Sequence, residues 1–268
     1  MDATPRDLLR QIVVISATVY MLVAAAVGSG LLGGTPVEDL QGGALAADGS
    51  YLAPAGPAFA IWSVIYVLLI AYAVWQALPS QRARDRQRSI GWWIAATAVL
   101  NGTWLVLAQF ATLPLTVAGI VALLIVLCVT FVRTVRFPGQ GVLDSLLIDG
   151  ATGLHLGWVS LATVANTAAW LTAIGPQSWA DSADLWGVVV LVVVGILGVA
   201  IAWASGWRVA PGLALGWGLS WLAVGRLQNE PPSEVIGVTA IIVAVVVVAV
   251  PVLGTLLARV IDLRNAEA

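Results

Sequence analysis

The sequence predicts an all-α fold: a polytopic membrane bundle of about eight transmembrane helices. Hydrophobic residues make up 60% of the 268 residues and charged residues only 10%, whereas soluble domains are about 25% charged. The mean hydropathy is +0.97. Apolar runs recur along the whole chain, and a run of about 20 residues spans the ~30 Å hydrocarbon core of a bilayer. The lipid bilayer is therefore the first predicted partner.

The first apolar run, residues 11–32, follows a polar lead at residues 1–10. A cleaved signal peptide is the alternative, but the hydrophobic region of a signal peptide usually has about 7–15 residues, so we predict a helix. A glycine-rich, acidic loop at residues 33–53 follows. Pro54-Ala-Gly-Pro57 then opens the second helix, since proline is tolerated in a first helical turn.

Later apolar runs are separated by short loops, and proline, glycine or arginine marks the ends of most of them. The division of the chain follows as a cytoplasmic lead at residues 1–10, a five-helix core at 11–174, and three additional helices with a short cytoplasmic tail at 175–268. The eight predicted helices are residues 11–32, 58–78, 91–111, 114–131, 150–173, 185–205, 209–227 and 235–260.

All 12 basic residues are arginines, placed at helix ends or in short loops. No basic face exists, so nucleic acid is not a predicted partner. On the predicted topology Arg226 alone lies on one side of the membrane, and the other arginines lie opposite it. Because cytoplasmic loops carry the excess of Lys and Arg, we predict cytoplasmic N- and C-termini.

The predicted fifth helix carries aromatic and polar residues in an apolar run. Trp158, Ala162 and Asn166 are spaced by four and share a helix face, with His155 close to it. A large ring beside an alanine leaves room for a ligand, and an amide in hydrocarbon needs a hydrogen-bond partner. The alternative is structural: Asn166 bonds a neighbouring helix and the tryptophans only pack.

Three patches together resemble the tryptophan-rich sensory protein family, the TspO and peripheral-benzodiazepine-receptor relatives. They are Pro54-Ala-Gly-Pro-Ala-Phe59-Ala-Ile-Trp62-Ser-Val-Ile-Tyr66, Leu100-Asn101-Gly-Thr-Trp104, and Trp158-Val-Ser-Leu-Ala162-Thr-Val-Ala-Asn166-Thr-Ala-Ala-Trp170. The resemblance covers residues 11–174. It departs from the family pattern at Leu154-His155, where the family has Pro-Tyr, and at Leu161, where it has phenylalanine.

The resemblance implies a five-helix bundle with a pocket beneath the first loop, often in a homodimer, in a bacterial plasma membrane. It also implies a small hydrophobic ligand that is flat or sterol-like, such as a tetrapyrrole (protoporphyrin or haem), with the glycine-rich loop as a lid. The family motifs and the helix faces give these candidate ligand-binding residues: Phe59, Trp62, Tyr66, Asn101, Trp104, His155, Trp158, Ala162 and Asn166.

The predicted function is a receptor, sensor or carrier for such a ligand. A ligand-modifying enzyme is an alternative, but only His155 and Asp149 qualify as catalytic groups, and we assign no catalytic residue. A structural or partner-binding subunit of a membrane complex is another. One histidine and one cysteine rule out a multi-histidine or thiolate metal site within one chain, although His155 alone can ligate a haem.

Arg226 has two interpretations: it meets a ligand carboxylate, or it forms a salt bridge with Glu230 four residues later. Pairs of small residues also recur at a spacing of four, and such pairs let two helices approach closely. For each pair we expect contact within one chain more than a dimer seam. The pairs are Ala98/Gly102, Gly153/Gly157 and Gly212/Gly216.

Overall fold

The computed structural model describes residues 3–267, without the side chains of residues 177, 266 and 267. The described chain is all-helical, as predicted. It has eight long helices: α1 (Pro5–Gly28), α2 (Ile61–Gln76), α3 (Asp85–Phe110), α4 (Leu113–Arg136), α5 (Ala151–Ile174), α6 (Ala183–Ala204), α7 (Ala210–Gln228) and α8 (Glu234–Glu267).

Six helical stretches of the described chain are long and apolar enough to cross a membrane, and they correspond to the long helices other than α5 and α7. α5 and α7 lie inside the bundle: α5 packs against α2, α4 and α7, and α7 packs against α5, α6 and α8. Eleven of the 19 residues of α7 are buried, against six of the 22 in α6. Interior position explains why these two helices tolerate more small and polar residues.

The three small-residue pairs make contacts between helices of one chain, as expected. A Cβ on Gly102 would lie 2.6 Å from the Tyr20 ring in α1, and one on Gly157 would lie 2.2 Å from the backbone oxygen of Pro211 in α7. A Cβ on Gly212 would meet the backbone oxygen of Val247 in α8 at 2.2 Å. Real Cβ atoms do not approach so closely. The close packing of α1 against α3, of α5 against α7 and of α7 against α8 therefore depends on glycine.

α1 begins at Pro5, within the stretch predicted as a polar lead. Its first turn is capped because the Asp7 carboxylate accepts hydrogen bonds from the backbone N–H of Thr4 at 2.9 Å and from its hydroxyl at 2.8 Å. Asp7 also accepts two hydrogen bonds from the Arg88 guanidinium, at 2.8 and 2.7 Å. These bonds join the start of α1 to α3.

The end of the bundle that holds most of the arginines is tied together by a second ionic network, centred on Asp149. Asp149 lies in a π-helical turn, Ser145–Gly150, just before α5. It accepts hydrogen bonds from Arg86 at 2.5 Å and Arg208 at 2.7 Å, and Arg86 also pairs with Asp144 at 3.0 Å. The network links α3, α5 and the connection between α6 and α7.

Candidate ligand cavity beneath the first loop

The loop between α1 and α2 folds over the opposite end of the bundle. Its short 3₁₀ segment, Val37–Gly43, ends on left-handed residues, with φ of 55° at Gln41 and positive φ at Gly42 and Gly43. The Gln41 amide donates to the Ala111 carbonyl at 2.7 Å, past the end of α3. Glycine supplies the left-handed turn without steric cost, so this loop can bend back over the helices.

Beneath the loop lies a small cavity of about 60 Å³. Small ligands commonly occupy cavities of roughly 300–1,000 Å³, so a ligand of that size requires the lining side chains to move apart. The loop and the start of the second helical region cover the cavity, while α3 and α5 form its walls. The lining residues are Val37, Ala44, Leu45, Ala46, Ala53, Pro54, Phe59, Trp104, Trp158, Leu161, Ala162, Ala165, Asn166 and Ala169.

Aromatic rings form one side of the cavity. The Trp158 ring meets Phe59 edge to face at 5.6 Å between centroids and meets Trp62 at 6.1 Å. Trp62 stacks on Tyr66 at 5.2 Å and contacts the His155 ring at 5.7 Å. Such pairs contribute roughly 0.5–1.5 kcal/mol each beyond area burial, so the Trp158 side chain is held in position by its neighbours.

A chain of polar side chains crosses three helices beside the rings. Asn166 Oδ1 accepts a hydrogen bond from Trp104 Nε1 at 3.0 Å, and Asn166 Nδ2 donates to Thr116 Oγ1 at 2.9 Å. Thr116 in turn donates to the Leu113 carbonyl at 2.7 Å. Asn166 therefore bonds neighbouring helices, as the structural alternative predicts, and it also lines the cavity.

Two buried nitrogens on α5 have no hydrogen-bond partner among the described residues: Trp158 Nε1 and His155 Nε2. Both side chains are 1% exposed. An unpaired polar group in an apolar interior costs free energy. Trp158 also lines the cavity, so one of these two unpaired nitrogens belongs to a cavity-lining side chain.

The structure divides the nine predicted ligand-binding residues into two groups. Phe59, Trp104, Trp158, Ala162 and Asn166 line the cavity. The other four lie behind this lining: Trp62, Tyr66 and His155 belong to the aromatic cluster, and Asn101 accepts a hydrogen bond from the Tyr66 hydroxyl at 3.1 Å. The two asparagines therefore differ, since only Asn166 reaches the cavity.

Sequence reasoning did not identify Leu161, Ala165 or Ala169, which line the cavity. They fall at i+3, i+7 and i+11 from Trp158, so extending the predicted face of α5 by helical periodicity would have included them. Thr116 lies on α4, and its bond to Asn166 depends on how α4 packs against α5. No signal in the sequence identified Thr116.

Of the two interpretations of Arg226, the salt bridge with Glu230 is wrong, and contact with a ligand carboxylate stays a prediction. In the described chain, Arg226 is 1% exposed and donates to backbone carbonyls: to Pro231 at 2.7 Å, Ala47 at 3.0 Å and Glu230 at 3.2 Å. The position of Arg226 at the end of α7 brings its guanidinium beneath the first loop, where carbonyls lie closer than the Glu230 carboxylate.

The two residues considered for catalysis lie apart. Asp149 is held by two arginines in the ionic network, and His155 lies in the aromatic cluster; neither lines the cavity. An acid or base must come within hydrogen-bond reach of a bound ligand to act on it. Neither Asp149 nor His155 is therefore placed to act on a ligand bound in this cavity.

Together, the apolar helices and the roofed cavity define a class: an all-helical integral membrane protein with an aromatic-lined cavity under a loop. The sequence model of one family, described as TSPO-like protein, matches residues 11–253. The chain belongs to the TSPO-like protein family. This confirms the resemblance seen in the three patches, and the match extends into α8. Comparisons with curated proteins and with solved structures gave no match.

Proposed function

We propose that this protein binds a flat hydrophobic ligand, such as a tetrapyrrole, in the cavity beneath the first loop, as a receptor, sensor or carrier. The observation that carries the proposal is the position of Trp158. Its ring lines the cavity, and its buried N–H lacks a partner among the described residues. A ligand that stacks on this ring and accepts a hydrogen bond from its N–H satisfies both features.

The lining supports an apolar ligand with few polar atoms. Among the lining side chains, only the Asn166 amide and the two indole N–H groups can form strong hydrogen bonds, and none carries a charge. Such a lining, apolar with a few placed polar groups, is typical of small-molecule sites. A porphyrin is larger than this cavity, so its apolar ring system would enter only with the lining side chains moved apart, and its carboxylates would have to lie at the mouth of the cavity.

We further propose that the arginine-rich end of the bundle faces the cytoplasm of a bacterial cell, with both chain termini on that side. The cavity then opens toward the outer half of the membrane. A homodimer, if formed, uses a face other than the Ala98/Gly102 pair, because Ala98 is buried and Gly102 packs against α1.

The test is a titration of the purified protein with protoporphyrin, followed by tryptophan emission and by equilibrium dialysis. We expect saturable binding that weakens at least about tenfold in Trp158→Leu, the loss expected for a buried aromatic contact. Trp203→Leu is the matched control, since Trp203 is 71% exposed on the outer surface of α6. Non-saturating quenching, or equal affinity of both variants, would refute the proposal.

A further inference from the structure

α7 contacts the roof of the cavity and the segment that follows it at three points. Arg226 Nη2 donates to the Ala47 carbonyl at 3.0 Å. The Trp221 carbonyl accepts a hydrogen bond from the backbone N–H of Ala55 at 3.1 Å. The Trp217 indole donates to the Ala58 carbonyl at 2.8 Å. These contacts join a C-terminal helix to the loop that covers a cavity walled by α3 and α5.

The hydrogen bond from Arg226 falls in a part of the loop that has few other hydrogen bonds to the helices. We define the roof as residues 42–54, between Gln41, which is bonded to α3, and Ala55, which is bonded to α7. Within the roof, the other hydrogen bonds of the described chain are local turns, so the bond from Arg226 to Ala47 is the one that reaches another element. Leu52 and Tyr51 of the roof add apolar contacts with the cluster formed by α5, α6, α7 and α8.

The guanidinium of Arg226 is suited to this position because it bonds two structures at once. Nη1 and Nη2 donate to Pro231 and Glu230 in the turn after α7, and Nη2 also donates to Ala47 in the roof. A planar fork can serve several acceptors from one side chain, whereas an ammonium or an amide cannot reproduce that geometry. The side chain is buried at 1% exposure, so water does not compete for these bonds.

We propose that Arg226 is a latch for the cavity roof, and that through it the C-terminal helices control how fast a ligand enters and leaves. This inference rests on the proposed ligand-binding function. Opening the roof breaks the bond between Arg226 and Ala47, and closing it restores that bond with or without a ligand beneath. The latch therefore slows entry and exit by the same factor and leaves the equilibrium affinity nearly unchanged.

Roof opening can be measured without any ligand by the reaction of a thiol beneath the roof with a water-soluble maleimide. Ala169→Cys places the thiol at a cavity-lining position that is 4% exposed, in a background where Cys128→Ser removes the natural thiol. We expect Arg226→Gln to speed labelling at least about tenfold, since a hydrogen bond from a charged donor contributes about that factor or more to an equilibrium. Arg264→Gln is the matched control: it removes the same charge from an exposed position near the end of α8.

Two milder variants cover the case in which Arg226→Gln fails to fold. Arg226→Lys retains the charge but loses the fork, and Trp217→Phe retains a ring but loses the bond to Ala58. Each is expected to speed labelling by about threefold or more, the effect of one weakened hydrogen bond. Labelling rates equal to the parent protein in the folded Arg226 variants would overturn the latch, whatever the rate in Trp217→Phe.

Rapid-mixing measurements with protoporphyrin then test the consequence for ligand exchange. In Arg226→Gln, the association and dissociation rates are expected to rise together, with the equilibrium constant changed by less than about threefold. If Arg226→Gln binds protoporphyrin saturably but its association and dissociation rates equal those of the parent protein, the latch is overturned. If the parent protein shows no saturable binding, the proposed function fails, while the labelling experiment still decides whether Arg226 holds the roof.

Discussion

Replacing Asn166 with leucine separates a structural amide from one that shapes the cavity, because Asn101 provides a matched comparison. Both asparagines are buried, and both accept a hydrogen bond from an aromatic side chain on another helix: Trp104 at 3.0 Å for Asn166, and Tyr66 at 3.1 Å for Asn101. Only Asn166 lines the cavity. Leucine has a similar size, so each change removes polar bonds without opening a large void.

The expected loss of stability follows from the bonds removed. Asn166→Leu removes two bonds between helices, one from Trp104 and one to Thr116, and leaves the Trp104 N–H without an acceptor. Bonds between membrane helices contribute about 0.6 kcal/mol on average, and an orphaned buried donor costs about 1–3 kcal/mol. We therefore expect a loss of about 1–3 kcal/mol in the free energy of unfolding for Asn166→Leu. For Asn101→Leu, which removes one described bond, we expect about 1 kcal/mol.

Ligand affinity should separate the two variants more clearly than stability does. Asn166→Leu frees the Trp104 ring in the cavity wall, and we expect protoporphyrin affinity to fall at least about tenfold, which corresponds to about 1.4 kcal/mol. Asn101→Leu should bind within about threefold of the parent protein, since its partner Tyr66 lies behind the lining. Unfolding in a denaturing detergent and equilibrium dialysis measure the two quantities. An Asn101 variant that loses as much affinity as the Asn166 variant would refute the assignment of the cavity wall.

Two further predictions concern the packing that supports the cavity. Gly157→Ala should lower the thermal unfolding temperature by several degrees, because its Cβ would lie 2.2 Å from the Pro211 carbonyl oxygen; Gly56→Ala, with no atom within 4 Å of the new Cβ, should leave that temperature within a degree or so. Asp149→Asn should cost about 1–3 kcal/mol of unfolding free energy, because two arginines lose a carboxylate partner. Asp181→Asn, an exposed position, is the control for charge, and an equal loss there would contradict the role given to the ionic network.

The helices and their approximate ends could be predicted because their signals are local. Runs of apolar residues, prolines such as Pro114 at a helix start, and arginines at helix ends act within a few turns of the chain. The face of α5 that carries Trp158, Ala162 and Asn166 was predictable for the same reason, since helical spacing depends on one segment alone. The start of α1 was placed too late, because the cap formed by Thr4 and Asp7 precedes the apolar run.

The partners of these residues could not be predicted, because they depend on how each helix is rotated against its neighbours. Helical spacing puts Asn101 on a definite face of α3, yet packing against α2 turns that face toward Tyr66 and away from the cavity. Thr116 is one of many hydroxyl residues in the chain, and it becomes the partner of Asn166 only because α4 packs against α5.

The sequence by itself determined an all-helical membrane protein of the TSPO-like family, its apolar segments and its aromatic residues, because composition and periodicity are properties of single segments. Tertiary structure alone decided which of those residues line the cavity. It also brought Arg226 of α7 into contact with Ala47 of the first loop, 179 positions earlier in the chain. The physical reason is that close contacts at glycines such as Gly157 and Gly212 fix how the helices pack. No single segment carries that information.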